Sequence, residues 1–459
     1  MVSRRTALRL AGAALLPAVA GCSDRTGGTR EPTDSPSASP TGSGTNDPLT
    51  EPSSTPPDDL PEWKPAWTRS VEEQHVLGLD THDGAVYASL SSEGGPSAVA
   101  ALDPTDGTEL WHTSTPGELE GRAYAEPNDG DDRWGVTVTD DRVFAVTGHA
   151  DEYEWTALRA LDRATGEVGW SMRHERSLAV RGVHDGTVYV TSREFFEPEH
   201  SHDTPEEPLP TELFAVDVAD GTLRWSYPFA GVADVAVSPE GVVVAAGTEL
   251  TCLDHDGSKR FDVDTGTEGR ALAATADRVF FLGDDDTMGR PVHWYAFDGT
   301  REWGERRPVR EALLDRDRGV LYAAGDETLA LDTDGSVAWR APVHGGHPLL
   351  LGPDRGTLYT RGGGARTEAF GLPDGEHRWS FDPRERYAWP TAASADVAVV
   401  EGYAEGRSLY AVDADAGEAT RRRSFGERAS LFTVEVAGGY ALVGTGDASV
   451  VALPLERAA

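Results

Sequence analysis

Eight near-copies of one eleven-residue phrase run down this 459-residue chain, and no other feature restricts its fold as strongly. The clearest are Ala-Leu-Asp-Pro-Thr-Asp-Gly-Thr-Glu-Leu-Trp ending at Trp111 and Ala-Leu-Asp-Arg-Ala-Thr-Gly-Glu-Val-Gly-Trp ending at Trp170. Further copies end at Trp225, Phe261, Trp303, Trp339 and Trp379, and a decayed copy spans Asp413 to Gly417. A fixed internal period of several tens of residues marks a solenoid, propeller or array, because one such unit cannot bury its apolar face alone.

The phrase reads as a β-hairpin. An alternating apolar strand such as Leu213 to Val216 reaches Asp217, whose short carboxylate bonds its own downstream amides. Gly221 then takes the positive φ of a tight turn, and a returning strand carries Trp225. Another strand pair precedes each copy, as in Ala233 to Val237 followed by Val242 to Ala246. One unit is therefore four short antiparallel strands, the content of a propeller blade. Second-strand apolar pairs occur nine times, from Val86/Tyr87 to Tyr440/Ala441, and the last unit has no outer strand after it. A spare strand at Lys64 to Arg69, carrying Trp67, is free to complete it and remove the open edges. The expectation is an all-β protein, a β-propeller of four-stranded antiparallel blades, eight or nine by repeat count.

The phrase resembles the tryptophan-docking repeat of the pyrroloquinoline-quinone-like (quinoprotein-like) β-propellers over residues 62 to 459. Rings of that family usually have seven or eight blades. The resemblance implies that Trp67, Trp111, Trp170, Trp225, Trp303, Trp339 and Trp379 are structural and lie between adjacent blades. Burying about 150–250 Å² of each at roughly 25 cal/mol per Å² gives about 4–6 kcal/mol as an upper bound.

The N-terminus follows different rules. Arg4 and Arg5 form a twin-arginine pattern, and the apolar run Ala7 to Ala20 after it is too short to cross a bilayer as a mature helix. Small residues then lead to Cys22, which resembles a lipoprotein processing box. Residues 1–21 therefore read as a twin-arginine signal peptide with a lipobox. Residues 22–61 read as a lipidated cysteine and a disordered tether rich in Ser, Thr, Pro and Asp, and residues 62–459 as the propeller. The expected location is the extracellular face of the cytoplasmic membrane, lipid-anchored after twin-arginine export.

Acidic residues number 78 against 41 basic ones, and only two lysines occur, Lys64 and Lys259. Removing the signal peptide also removes Arg4, Arg5 and Arg9. Such a surface is screened within about 3 Å at molar salt, and the composition looks like a haloarchaeal proteome. No basic stripe exists to neutralise phosphates, so nucleic acid is not an expected partner. Once Cys22 is lipidated, Cys252 has no cysteine left to pair with, and it reads as a small buried apolar residue.

In a four-stranded blade the turns alternate between the two ends of the ring. One end has minimal turns such as those at Gly84, Gly186, Gly241, Gly335 and Gly375. The long insertions, residues 115 to 132, 149 to 156, 193 to 211, 284 to 293 and 402 to 407, all fall at the other end. Binding usually resides on long loops of a rigid scaffold, and these carry Tyr124, Tyr153, Trp155, Phe195, Phe196, His200 and His202. That face is the expected binding face. His200-Ser-His202-Asp203 and Asp284-Asp285-Asp286 are weak metal patterns, and no metal site is assigned. Asp254 to Gly257 and Asp332 to Gly335 sit in the hairpin-turn slot and lack the distal Glu of a calcium loop.

Two functions remain. One is a non-catalytic, membrane-tethered scaffold that docks a protein or an envelope component, a monomeric ring touching membrane only through its lipid. It is similar in kind to the bacterial outer-membrane assembly lipoprotein of the same repeat. The other is a quinoprotein dehydrogenase binding pyrroloquinoline quinone (PQQ) and Ca²⁺. That resemblance implies an adjacent-cysteine disulfide and a Ca²⁺ site with Glu, Asn and Asp. The chain has no Cys-Cys pair, and its only mature asparagines are Asn46 and Asn128, so no catalytic residue is carried over and no cofactor is expected.

Overall fold

A computed structural model describes residues 53–456 apart from 58, 72–74, 92–96, 116–117, 120–135, 149–155, 194–210, 231–232, 285–288, 344, 404–405, 427–430 and 447–448. The unit from Glu51 onward contains nine antiparallel blades and no helix among the described residues. The blade count is thus nine. In blade 1 the strands are His75–His82, Ala85–Ser91, Ser97–Leu102 and Glu109–Thr115, paired in that order. The same meander recurs down to blade 9, and the first strands of neighbouring blades lie side by side as the innermost layer. Second and third strands are almost wholly apolar, as in Ala85–Ser91 and Ser97–Leu102, because both of their faces are covered by neighbouring blades.

Blade 9 supplies only three strands from its own end of the chain, Leu431–Ala437, Tyr440–Thr445 and Ser449–Pro454. Trp67–Ser70 completes it as an antiparallel outer strand, with Trp67 opposite Ala452.

Successive blades are joined by one repeated contact. Where an outer strand carries a tryptophan the ring lies on the turn glycine of the next blade, and in five seams its indole N–H donates to a carbonyl there. Trp111 Nε1 bonds Arg163 O at 2.9 Å, Trp170 bonds Val218 O at 2.9 Å, Trp225 bonds His255 O at 2.8 Å and Trp379 bonds Ala414 O at 2.9 Å. Trp67 makes the contact that joins blade 9 to blade 1, bonding Pro104 O at 3.0 Å. Gly166 and Gly257 show why glycine is required. Their φ values are 72° and 85°, and an added Cβ would lie 2.5 Å from Trp111 and 2.7 Å from Trp225. Phe261 substitutes over Gly299 and has no N–H to donate. Trp303 and Trp339 lie over Gly335 and Gly375, and the buried Trp339 Nε1 has no acceptor among the described residues.

The eighth seam departs from the rule. In blade 8 the position opposite Ala411 is Arg421, where blade 1 has Trp111 opposite Ala101. Trp63, from the segment before Trp67, fills the seam instead. It is wholly buried, donates Nε1 to Pro454 O at 3.0 Å, and carries the Arg421 guanidinium 5.9 Å from its ring centroid. The strap holding Trp63 begins further upstream. Ser53–Ser54 adds a parallel strand outside Glu376–Phe381 of blade 7. Leu60 packs with the cluster around Trp379, and Pro61 O and Trp63 N bond Arg422 of blade 8 at 3.0 and 2.6 Å. Of residues 22–61, which composition reads as tether, Ser53, Ser54, Leu60 and Pro61 contact blades 7 and 8. Backbone pairing and the packing of Leu60 outweigh a polar composition there.

Blade 2 holds another departure. Its innermost strand is split into Glu118–Leu119 and Val136–Val138, both paired with Arg142–Gly148. The insertion expected between blades 1 and 2 therefore leaves from within the innermost strand.

Two outcomes follow from these contacts. Trp63→Ala should cost about 3–5 kcal/mol in guanidinium unfolding, and Trp225→Ala, whose indole is only half buried, should cost less. A Trp63→Ala loss below that of Trp225→Ala would remove the strap from the architecture. Burial, with Arg301 and Arg306 nearby, pushes the His293 imidazole down from 6.5 to about 4. A depressed folded-state value means its stability contribution is complete above pH 6.5 and lost as pH falls toward 4. His293→Phe should therefore show a smaller fall in melting temperature between pH 7.5 and 4.5 than the parent, and equal falls would refute the assignment.

Candidate functional site

All described turns between first and second strands, and between third and fourth strands, are short and lie at one end of the ring. The strand ends flanking the insertions, Gly148 and Thr156, Arg193 and Thr211, Gly283 and Arg290, Tyr403 and Arg407, lie at the other end. Tyr124, Tyr153, Trp155, Phe195, Phe196, His200 and His202 fall outside the described residues, as do Arg4, Arg5 and Cys22. Asp284 forms an ion pair with Arg290, while Asp285 and Asp286 lie outside the described residues.

At the insertion end of blade 8 the described residues form an aromatic and cationic corner. Tyr387 on the first strand is directly opposite Tyr403 on the second, and Trp389 is opposite Glu401 two residues further in. Side chains two apart share one sheet face, so three rings line up. Tyr387 stacks on Trp389 at 5.8 Å and on Tyr403 at 6.4 Å between centroids. Arg361 from blade 7 and Arg386 each place a guanidinium 5.4 Å from the Tyr387 centroid, and Arg407 lies 6.0 Å from that of Tyr403. Glu401 is buried and accepts from Trp389 Nε1 at 3.2 Å and from Arg407 Nη1. Among the described residues neither Arg361 nor Arg386 has a carboxylate within ion-pair distance. Tyr403 is 38% exposed, the one large apolar side chain exposed at this end among the described residues.

Behind the corner, Glu385 accepts from Tyr410 Oη at 2.5 Å and from Arg422 Nη2 at 3.2 Å. Burial pushes the Glu385 carboxyl up, against the lowering influence of both partners, and burial together with that carboxylate pushes the Tyr410 phenol up.

Other clusters are architectural. His377 Nε2 lies 2.9 Å from Glu368 Oε2, and Ser380 Oγ donates to that same oxygen. The serine is buried and its backbone pairs with Ser53 of the strap, so the trio cannot present a nucleophile. His255 stacks on His184 at 4.6 Å and has both nitrogens engaged, by Tyr189 Oη at 2.7 Å and Pro239 O at 3.1 Å. In the turns after Asp254 and Asp332, Asp256 accepts from Ser258 and Asp334 from Ser336, bonds that hold both carboxyls below the usual range. Turn chemistry accounts for both stretches. Cys252 is buried, and that burial pushes its thiol up to about 12.

Sequence reasoning reached Tyr403 and Arg407 through the insertion at 402 to 407 but missed their neighbours. Arg361, Arg386, Tyr387 and Trp389 sit on or beside strand ends that read as ordinary blade. The available signal was two arginines, Arg384 and Arg386, just ahead of an alternating Tyr387-Ala388-Trp389.

The family profile described as outer membrane protein assembly factor BamB matches residues 62–232, 156–259, 211–347 and 324–457. No curated protein matches the sequence. Among solved structures, the chain is similar to BamB from Moraxella catarrhalis, with 15% identity over 86% of this chain and 98% of that one and a TM-score of 0.47. It is also similar to the quinohemoprotein alcohol dehydrogenase of Comamonas testosteroni, with 14% identity over 86% and 77% and a TM-score of 0.47. A third likeness is to quinohemoprotein alcohol dehydrogenase ADHIIG of Pseudomonas putida HK5, with 14% identity over 86% and 76% and a TM-score of 0.48.

Proposed function

Because the chain belongs to the family described as outer membrane protein assembly factor BamB, we propose that it is a non-catalytic, membrane-tethered propeller that docks a protein or envelope component at the cell surface. Its location is the extracellular face of the cytoplasmic membrane, reached by twin-arginine export and held through lipid on Cys22. The observation carrying this reading is the asymmetry of the ring. Every described turn at one end spans six residues or fewer, whereas the longest insertions leave from the other end or, between blades 1 and 2, from within the innermost strand. Short turns leave little for a partner to grip, while long loops on a rigid scaffold offer area and variety. The strap adds to this, since a tethered chain that enters the ring at Ser53 holds it by the rim of blade 7.

The residues do not fit a quinone site. The chain has two cysteines, Cys22 and the buried Cys252, so no adjacent-cysteine disulfide can face a cofactor. The described residues contain no asparagine for a Glu, Asn and Asp calcium site. No catalytic step is derived from this fold.

Two measurements test the proposal. Purified protein given pyrroloquinoline quinone and Ca²⁺ in high salt should take up no stoichiometric quinone by absorption and show no dye-linked alcohol oxidation; turnover would replace the scaffold with an enzyme. Crosslinking on intact cells should concentrate in residues 115 to 132 and 193 to 211, and an even spread over both ends of the ring would count against the chosen face.

A further inference from the structure

We propose that the corner of blade 8 formed by Arg361, Arg386, Tyr387, Trp389 and Tyr403 binds an acidic saccharide, a sugar bearing carboxylate or sulfate. The inference rests on the insertion end being the binding face and names a ligand class for one part of it. Its first support is electrostatic. Arg361 and Arg386 come from different blades and both lie 5.4 Å from the same ring, so two like charges are held no farther apart than twice that distance. Many described arginines elsewhere are matched to acids, as Arg224 is to Asp217, Arg260 to Asp254, Arg278 to Glu302 and Arg355 to Asp315. Here, in a chain of formal charge −37, two guanidiniums lie against one ring with no carboxylate partner among the described residues. The aromatic ring offsets part of their charge, and a bound anion would offset the rest.

The second support is shape. The Tyr403, Tyr387 and Trp389 rings form a row with interplanar angles of 28° and 29°, and Tyr403 leaves its surface open to solvent. A row of flat apolar rings beside fixed charge suits a ligand with a flat C–H face and an anionic group on its edge. A pyranose carrying a carboxylate or sulfate has both, and inorganic anions lack the first. The row is built on paired strands rather than on a loop, with Trp389 Nε1 and Arg407 both tied to buried Glu401, so its geometry is set before any ligand arrives.

Isothermal titration calorimetry of the full-length protein with an oligogalacturonate, a sulfated oligosaccharide, a neutral oligosaccharide of equal length and sodium sulfate tests this. At least one acidic oligosaccharide should bind, and the neutral one and sulfate alone should not. Arg386→Gln and Arg361→Gln should each weaken binding about tenfold or more, the loss expected for a charge-assisted hydrogen bond, and Tyr403→Ala should weaken it with the melting temperature unchanged. Absence of acidic saccharide binding, equal binding of the neutral sugar or of sulfate, or variants that bind as the parent does would each overturn the proposal. Saccharide binding together with crosslinks spread over both ends would sink the docking face alone, so the two failures are separable.

Discussion

The ring depends on an indole laid across a bare α-carbon. A tryptophan on one blade can reach the next blade's turn only if that turn carries no side chain beneath it, and the turn can fold that tightly only with a residue at positive φ. Glycine answers both demands at once, as at Gly166 under Trp111 and Gly257 under Trp225. The indole N–H then reaches a carbonyl that the turn leaves exposed, so a buried donor is satisfied by the same contact that buries apolar area. Because the tryptophan and the glycine that accepts it belong to neighbouring copies of one phrase, each blade fixes the position of the next.

A chain of such contacts has two loose ends unless something joins them, and here the N-terminal strap does so twice. Trp67 takes the tryptophan slot on the outer strand of blade 9 and reaches Pro104 of blade 1. Trp63 serves the seam between blades 8 and 9, where Arg421 occupies the usual position. One short segment thereby completes a sheet, fills a seam and covers part of the outer edges of blades 7 and 8, at Ser380, Phe381 and Arg422. Its tryptophan is wholly buried while Trp111 and Trp225 are only partly so, because Trp63 is enclosed by two blades and the strap itself.

The blade, the turn and the outer-strand completion were legible because each repeats, and repetition separates a structural requirement from chance. What repetition could not convey was the exception. Arg421 occupies the slot where the repeat places a tryptophan, yet Trp63 fills that seam from more than three hundred residues away in sequence. Nothing local to Trp63 announces that role, since it lies among prolines and acids typical of a linker. The insertion inside the first strand of blade 2 was hidden for the same reason, as two short strand fragments do not show alternation. The corner of blade 8 was half legible, through the loop at 402 to 407, because aromatic residues on strand ends resemble core until their neighbours are known.

Strong acidity limits which forces can act at that corner. In dilute buffer a surface with 78 acids would repel an anionic ligand at long range, and steering would oppose binding. At molar salt the field is screened within about 3 Å, so only groups in contact still interact. Guanidiniums held against aromatic rings lose the least under those conditions, since their positions are set by packing on Tyr387 and Tyr403 rather than by distant charge. The seams of the ring obey the same logic, being built from apolar contact and buried hydrogen bonds that salt does not screen. Binding and architecture in this protein therefore draw on one kind of interaction, short in range and fixed by the blades, and affinity at the corner should survive salt concentrations that abolish ordinary surface ion pairs.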